Sequence, residues 1–396
     1  MCKFKFKSLM YSILLVVFLF SCSLISACSF LEPNTEPSNL DDPKTSTLIS
    51  GYDFSVILNN NCFDCTSVIF DYGKNYTSEI ANSTISIGVD EDGLGYFEDG
   101  ISLFYCDKTA FILSQVEILA NQDCSEMFSY FENIETIEFN NFNTEETTKM
   151  SYMFEQCKSL ESLDLSCFKT GKVEWMMGMF KDCSNLIDLN VEGFNTANVK
   201  DMYCMFFGCT KLASLNLGNF NTSKVIDTGN MFRFCSSLTS LDVSNFDTSN
   251  VETMEYMFAD CLRLTSLDLS NFNTAKVEWI NDMFSGCVNL EYIDLSSFNT
   301  ENVDYMENMF KNCVKLTELD LSGFSTKVGV YMDDLFNGCA ELKTIYVSSK
   351  WNQLNISSGE NMFYGCISLE GDLNYNYLCT DKTYASYLGG YLTLKI

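Results

Sequence analysis

The chain has 396 residues, carries a formal net charge of −29 and contains no histidine. A protein this acidic repels nucleic acid and anionic lipid headgroups, so neither is an expected partner. The lack of histidine removes the commonest general base and the commonest metal ligand, so the usual catalytic triads and zinc sites would lack a member.

Residues 1–27 are predicted to be a lipoprotein signal peptide. Three lysines precede an apolar run at residues 8–20, and Ile25-Ser26-Ala27 lead directly into Cys28. Small residues before a cysteine that follows an apolar run resemble the lipobox of bacterial lipoproteins. That resemblance implies cleavage before Cys28, a diacylglycerol on its thiol, and an outward-facing location on the cell membrane or outer surface.

Two alternatives to lipidation at Cys28 remain open. The first is an ordinary secretory signal followed by an incidental cysteine. The second is lipidation at Cys22, which is disfavoured because Phe20 is bulky where a small residue is usual.

Residues 28–50 are predicted to be the acylated cysteine and a disordered tether. Pro33, Pro37 and Pro43 are the only prolines of the chain and lie here among polar residues. Such a segment cannot bury an apolar core, so it would hold the folded part away from a membrane.

Residues 51–126 do not repeat and are predicted to form a β-rich N-terminal cap. Strand-like segments begin at Ser67, Ser83 and Ile101 and are separated by Gly, Asn and Asp. A solenoid needs such a cap because its first unit would otherwise leave a sheet edge and an apolar face open.

Residues 127–374 repeat with a period of 26. The clearest column is a cysteine column, whose last spacing is 27. Its members are Cys157, Cys183, Cys209, Cys235, Cys261, Cys287, Cys313, Cys339 and Cys366. The unit reads M-F-x-x-C-x-x-L-x-x-L-D-L-S-x-F-N-T-x-x-V-x-x-M-x-x. A fixed period of this length indicates a solenoid, here of about ten units, and residues 375–396 are predicted to cap its far end with a hairpin.

Each unit is predicted to contain a strand, a turn and a short helix. Leu267 and Leu269 lie two residues apart, as in a strand with one buried face. A second apolar stripe has helical spacing over roughly two turns. It consists of Val277, Ile280, Met283, Phe284 and Cys287. The predicted fold class is therefore an α/β solenoid, a right-handed leucine-rich-repeat-like stack of these units.

The repeat resembles that of the BspA-like leucine-rich-repeat surface lipoproteins of bacteria. The resemblance depends on the period of 26 with its cysteine column and its two phenylalanine columns, and it covers about two thirds of the chain. The last full unit departs from the pattern, since Ser325-Thr326 is shifted by one residue and Trp351 replaces the column phenylalanine. The resemblance implies adhesion to host proteins or other cells, without catalysis.

The cysteine column is predicted to be a row of free, buried thiols. Parallel side chains on neighbouring strands would hold their Cβ atoms about 5 Å apart, beyond the separation that a disulfide prefers. A row on one face also lacks the tetrahedral geometry of a metal site, so no metal is predicted. The separate pair Cys62 and Cys65 is either redox-active or structural, and no thioredoxin-like pattern surrounds it.

An acidic strip is predicted to face outward between the two buried leucines of each strand. Its members are Asp164, Asn190, Asn216, Asp242, Asp268, Asp294 and Asp320. It is either a ligand face, with Ca²⁺ as a candidate because carboxylate oxygens bind it, or a solvated face that resists aggregation. The second interpretation is favoured because the strip is poor in the Trp, Tyr and Arg of binding hot spots.

Aromatic residues recur at one position just after the turn. They are Trp175, Trp279, Tyr305 and Tyr331. They are either exposed contact residues or side chains packed between neighbouring units, and the sequence does not separate the two. The Asn-Thr column, in contrast, is predicted to be a turn ladder whose side chains bond to nearby backbone.

The sequence favours a monomeric, surface-anchored interaction protein with an extracellular protein partner, no cofactor and no catalytic residue. One rival hypothesis is a structural or antigenic coat protein without a specific ligand. The other is a hydrolase that uses two carboxylates, which would need an acidic cleft that the even repeat pattern does not predict.

Overall fold

The computed structural model describes residues 46–76, 85–88 and 101–395. The predicted signal peptide and Cys28 lie outside these residues. Strand β1 (Ser46–Thr47) pairs in parallel with β6 (Ile118–Leu119), and the side chain of Leu48 is buried. Residues 46–50 are therefore part of the folded structure, and the predicted tether extends too far.

The cap begins with a helix that the sequence analysis did not predict. Helix α1 spans Gly51–Asn61, and the Ser50 hydroxyl accepts a hydrogen bond from the Asp53 N–H at 3.2 Å. This is N-capping, which satisfies one of the free N–H groups of a helix start. Phe54 and Leu58 lie one turn apart and are buried, so the helix covers the end of the solenoid with its apolar side.

The remainder of the cap is a mixed five-stranded sheet. Its strands are β2 (Ser67–Tyr72), β3 (Ile85–Gly88), β4 (Ile101–Cys106), β5 (Thr109–Ser114) and β7 (Thr136–Phe139). They lie side by side in the order β3, β4, β5, β2, β7. Strand β2 is parallel to both β5 and β7, whereas β3–β4 and β4–β5 are antiparallel. Because β7 belongs to the first repeat, one sheet joins the cap to the solenoid.

Short parallel strands form the first connection between repeat units. The pairs are β8 (Ser162–Asp164) with β9 (Asp188–Asn190), β10 (Ser266–Asp268) with β11 (Tyr292–Asp294), and β12 (Glu318–Leu321) with β14 (Thr344–Val347). Leu267 lies opposite Ile293, an offset of one repeat, so identical positions pair and the predicted strand register is confirmed.

A second parallel ladder lies after the turn of each unit. Its paired residues run from Asp123 and Lys149 through Trp175 to Tyr331. Near the end it includes β13 (Val330–Tyr331), which pairs with β15 (Ile356–Ser358). The second ladder therefore ties each unit to the next, whereas the first is interrupted, because residues 214–217 and 240–243, where strands were also predicted, form none.

The predicted short helix of each unit is wrong. The described residues after Asn61 contain no α-helix, although Ile280, Met283, Phe284 and Cys287 are buried as expected. Asp282 and Gly286 have φ of 58° and 76°, and such left-handed residues recur in every unit and interrupt a helix.

The alternating backbone of this segment produces a third ladder between units. Phe284 N donates to Met309 O at 2.9 Å, and Gly286 N donates to Lys311 O at 2.7 Å. The intervening Ser285 N stays within its own turn and donates to Asp282 O at 3.0 Å. A helix would keep all of these N–H groups within one unit, whereas here every second one connects to the next. The predicted right-handed stack stays a prediction, and the observed fold is a repeat solenoid of sheet-rich units.

The interior consists of columns in which each side chain lies on its own copy. Phe258, for example, stacks on Phe232 and Phe284, with ring centroids 5.6 and 5.8 Å apart and ring planes within 8°. Thr248 is buried, and its hydroxyl both donates to Asn273 O at 3.0 Å and accepts from Asn273 N at 2.7 Å. The threonine of the F-N-T motif therefore joins two units, which the sequence analysis did not predict.

The column cysteines are free and buried, as predicted. Each thiol also donates to the carbonyl of the column phenylalanine one unit earlier, as in Cys261 Sγ to Phe232 O at 3.2 Å and Cys287 Sγ to Phe258 O at 3.0 Å. Burial raises the pKa of Cys287 to about 12, so the thiol stays protonated at neutral pH. The thiols are therefore both interior filling and hydrogen-bond donors between units.

We expect the column cysteines to resist alkylation in the native protein and to react after denaturation without reductant. The thiolate is the reactive form, and burial disfavours it and blocks access. Mass spectrometry of protein treated with iodoacetamide before and after denaturation measures both states. Cys167, which is exposed, serves as the internal positive control in the native sample. Recovery of a Cys235–Cys261 disulfide peptide would contradict the prediction.

The C-terminal cap is not the hairpin that was predicted. Strand β16 (Thr393–Leu394) pairs in parallel with β14, and the buried ring of Tyr391 meets Phe363 edge-on with centroids 5.2 Å apart. Trp351 Nε1 donates to Ala385 O at 3.1 Å, so the residue that departs from the repeat pattern holds the cap. Two 3₁₀ turns, Gln353–Asn355 and Lys382–Tyr384, complete this end.

Candidate interaction surface

The acidic strip lies on the outward face of the strand ladder, as predicted. Asp164, Asn216, Asp242 and Asp268 are exposed, and Asn190, Asp294 and Asp320 are half-buried. In each strip residue one side-chain oxygen accepts the backbone N–H two positions later, as in Ser270 N to Asp268 Oδ1 at 2.9 Å. Each strip residue therefore forms an Asx turn, a structural role that needs no ligand.

The charge of the strip is stabilised from within the chain. The hydrogen bonds from the side chain and backbone of Ser270 lower the pKa of Asp268 below its ordinary value, and Ser244 does the same for Asp242. At the C-terminal end Lys395 forms an ion pair with Asp320. Among residues 46–76, 85–88 and 101–395, no group of three or more Cys, Asp or Glu side chains is arranged to hold a metal ion.

The Asn-Thr turn ladder is confirmed. The side chains of Asn195, Asn221, Asp247, Asn273 and Asn299 each accept the backbone N–H two residues later at 3.0–3.1 Å. These bonds fix the turn between the strand and the second ladder, and so they set the position of the aromatic residues that follow it.

The aromatic residues after the turn are partly exposed, and three of them also stack between neighbouring units, whereas a contact role for them stays a prediction. Trp175, Trp279, Tyr305 and Tyr331 are between 37% and 40% exposed. Trp279 stacks on Tyr305, and Tyr305 on Tyr331, with centroids 6.4 and 5.5 Å apart. These four residues, here named the aromatic column, lie along the second ladder and are partly exposed to solvent.

Acidic residues occupy the same ladder between Trp175 and Trp279. Asp201 and Asp227 lie directly opposite each other in neighbouring units. Burial is the main cause that raises the pKa of Asp227 to about 6; Asp201 and Glu255 contribute in the same direction, and the hydrogen bond from the Gly229 N–H opposes the shift. Burial also raises the pKa of Asp201. The negative charges of Asp201 and Asp227 therefore destabilise this part of the second ladder near neutral pH.

We expect Asp227→Asn to raise the melting temperature near pH 8 and to leave it unchanged near pH 4. The folded state holds the Asp227 proton more tightly than the unfolded state, so wild-type stability falls as pH rises from about 4 to about 6. Asparagine keeps the oxygen that accepts from Gly229 and removes the charge. Thermal unfolding at about pH 4, 6 and 8 measures the difference.

Asp268→Asn is the matched control for Asp227→Asn. Because hydrogen bonds lower the pKa of Asp268, its charge is stabilising above about pH 4, and neutralising it should lower the melting temperature slightly near pH 8. A gain in stability for both variants would show that net charge alone, and not the buried position of Asp227, sets the response.

A groove borders the aromatic column at Trp175, and the sequence analysis did not predict it. It measures about 380 Å³, and its lining includes Trp175, Ile226, Lys200, Lys224 and Lys276. The sequence signal was the alternation Lys172, Asn198, Lys224, Asn250, Lys276 at one repeat position. Because adjacent units stack in register, that alternation places lysines on one face.

The fold defines the class of protein as a repeat solenoid with sheet-rich units. The chain belongs to the family described as "Mycoplasma protein of unknown function, DUF285", whose model matches residues 108–215, 205–315 and 287–386. No curated protein matches the chain. No helix among the described residues has the length and apolar character needed to cross a membrane.

One solved structure is similar to part of the chain. It is titled "Crystal structure of TLR13-ssRNA13 complex", is 14% identical, and has a TM-score of 0.28. The similarity covers 71% of this chain and 50% of that one, so the chain spans half the length of the protein it matches.

Proposed function

We propose that this protein is a lipid-anchored surface protein whose solenoid binds an extracellular protein partner without catalysing a reaction. The observation that carries the proposal is the aromatic column, since Trp and Tyr are the residues most enriched at binding hot spots. Trp279, Tyr305 and Tyr331 form a continuous exposed stack. The acidic strip is a weaker candidate because its side chains already form Asx turns.

The stacking of the rings also favours the aromatic column as the binding surface. Because each ring lies on its neighbour, its rotamer is fixed before a partner arrives, which reduces the entropy cost of binding. The predicted BspA-like resemblance, which implies adhesion, is consistent with the proposal, and the family match itself carries no function. Adhesion to host proteins or to neighbouring cells is the form of binding that the resemblance implies.

A binding screen tests the proposal directly. The chain without residues 1–28 is applied to an array of purified extracellular-matrix proteins, and each positive signal is titrated to saturation. Trp279→Ala and Tyr305→Ala should each weaken a specific interaction by at least about tenfold, as expected for hot-spot residues. Asp268→Asn, on the acidic strip, is the control and should leave it unchanged. The absence of any saturable interaction would favour the coat-protein hypothesis.

We expect Cys28→Ala to abolish incorporation of labelled fatty acid and to release the protein from the membrane fraction. Stable anchoring needs two or more acyl chains, which the lipidated cysteine would carry. Cys22→Ala is the control and should keep both the label and the membrane association. Labelled fatty acid on the Cys28→Ala protein would overturn the anchoring part of the proposal.

A further inference from the structure

The groove beside Trp175 combines apolar surface with lysines. Trp175 and Ile226 are 37% and 45% exposed, although each is a large apolar side chain. Lys224 and Lys276 are exposed on the same groove, two units apart. With about 4.8 Å between units, the groove extends about 20 Å from Trp175 to Lys276, enough for about six residues of extended chain.

The lysines of this groove differ in how their charges are neutralised. Lys200 Nζ lies 2.6 Å from a Glu174 oxygen and 6.0 Å from the centre of the Trp175 ring, so it is already held. Lys224 and Lys276 contact neutral amide oxygens instead, those of Asn198 and Asn250, each at 2.6 Å. Among the described residues, neither forms an ion pair with a carboxylate.

This arrangement contrasts with other lysines of the solenoid. Lys158, Lys172 and Lys315 each lie 2.5–2.7 Å from a glutamate one unit away. Asparagine at the partner position orients Lys224 and Lys276 but leaves their charges available. The chain has a net charge of −29, so Lys224 and Lys276 form a small positive patch within a negative electrostatic field.

We infer that this groove binds an extended acidic peptide segment of a partner protein. Two carboxylates of the segment would meet Lys224 and Lys276, and an apolar side chain between or beside them would cover Trp175 and Ile226. Lysines two units apart are separated by about 10 Å, which matches acidic residues about three positions apart in an extended chain. The inference rests on the proposed function and names the chemistry of the partner.

A peptide segment fits the groove better than a polyanionic glycan does. Glu252 also lines the groove and would repel an unbroken row of sulfates or carboxylates. A long polyanion would also extend beyond the groove into the negative field of the solenoid. A short segment with two acidic residues and an apolar anchor avoids both penalties and uses the exposed surface of Trp175.

A random heptapeptide library displayed on phage, applied to the full chain purified in detergent, tests this inference. The acidic protein by itself should enrich basic peptides, so enrichment of peptides with two acidic residues and a Leu, Phe or Trp would come from this groove. Synthetic copies of the enriched peptides are then measured by fluorescence polarisation. The double variant Lys224→Gln with Lys276→Gln should weaken binding at least about tenfold, and raising the salt concentration should weaken wild-type binding.

The matched control is Lys211→Gln with Arg263→Gln, which removes the same charge from two exposed positions that also lie two units apart. It should leave the affinity unchanged. Selection of basic peptides only, equal loss in both double variants, or binding of a heparin oligosaccharide in place of acidic peptides would overturn the inference. Peptides lost in Trp279→Ala but kept in the Lys224/Lys276 variant would overturn it while leaving the proposed function intact.

Discussion

Phe258→Ala is expected to lower the free energy of unfolding by about 3–5 kcal/mol, the cost of truncating a fully buried aromatic side chain. Phe258 has no exposed surface and stacks on Phe232 and Phe284. The cavity would lie between two units whose backbones are fixed by ladders on either side, so the site cannot collapse to fill it. Removal therefore weakens two interfaces at once, and thermal unfolding followed by circular dichroism measures the loss.

Asp268→Ala, in the next strand, is the control for Phe258→Ala. Asp268 is exposed, and its side chain bonds to Ser270 within the turn, so its removal should change stability far less than the loss of a buried ring does. Equal losses in the two variants would contradict the assignment of an inner and an outer face. A smaller loss for Phe258→Ala than for Asp268→Ala would show that the rings do not form the core.

The buried columns and most strand positions could be predicted because they depend on burial alone. Leu267 and Leu269 alternate with Asp268, and this period of two matches only one backbone form. The predicted helix failed because burial every three or four residues fits two backbone paths. The distinguishing signal was the enrichment of Gly, Asn and Asp at the left-handed positions, as in Asn230, Gly286 and Gly338, and only a comparison between units shows it.

Helix α1 of the cap does have a sequence signal, but it is confined to a few residues. Ser50 followed by Asp53 begins α1, and Phe54, Ile57 and Leu58 form its buried side. Because strand-like segments follow it closely, the whole segment was predicted to be β-rich.

The groove could not be predicted, because it depends on which lysine faces a glutamate and which faces an asparagine one unit away. That pairing exists only after the units are stacked in register.

Thr248→Val should lower the free energy of unfolding by about 1–3 kcal/mol for each backbone group that it leaves unpaired. The Thr248 hydroxyl is the partner of both Asn273 N and Asn273 O, and water has no access because Thr248 is buried. Valine has nearly the same shape, so the change tests the hydrogen bonds and not the packing. Thermal unfolding measures the loss.

Two controls separate the hydroxyl of Thr248 from other effects of the substitution. Thr248→Ser keeps both hydrogen bonds and loses one methyl group, so it should cost about 0.8 kcal/mol. Thr265→Val makes the same change at an exposed position one strand away and should stay within about 0.5 kcal/mol of wild type. If Thr248→Val is no worse than Thr265→Val, the hydroxyl does not join the units. The threonine column would then be explained by its methyl groups, and the turn ladder would hold through its asparagine side chains alone.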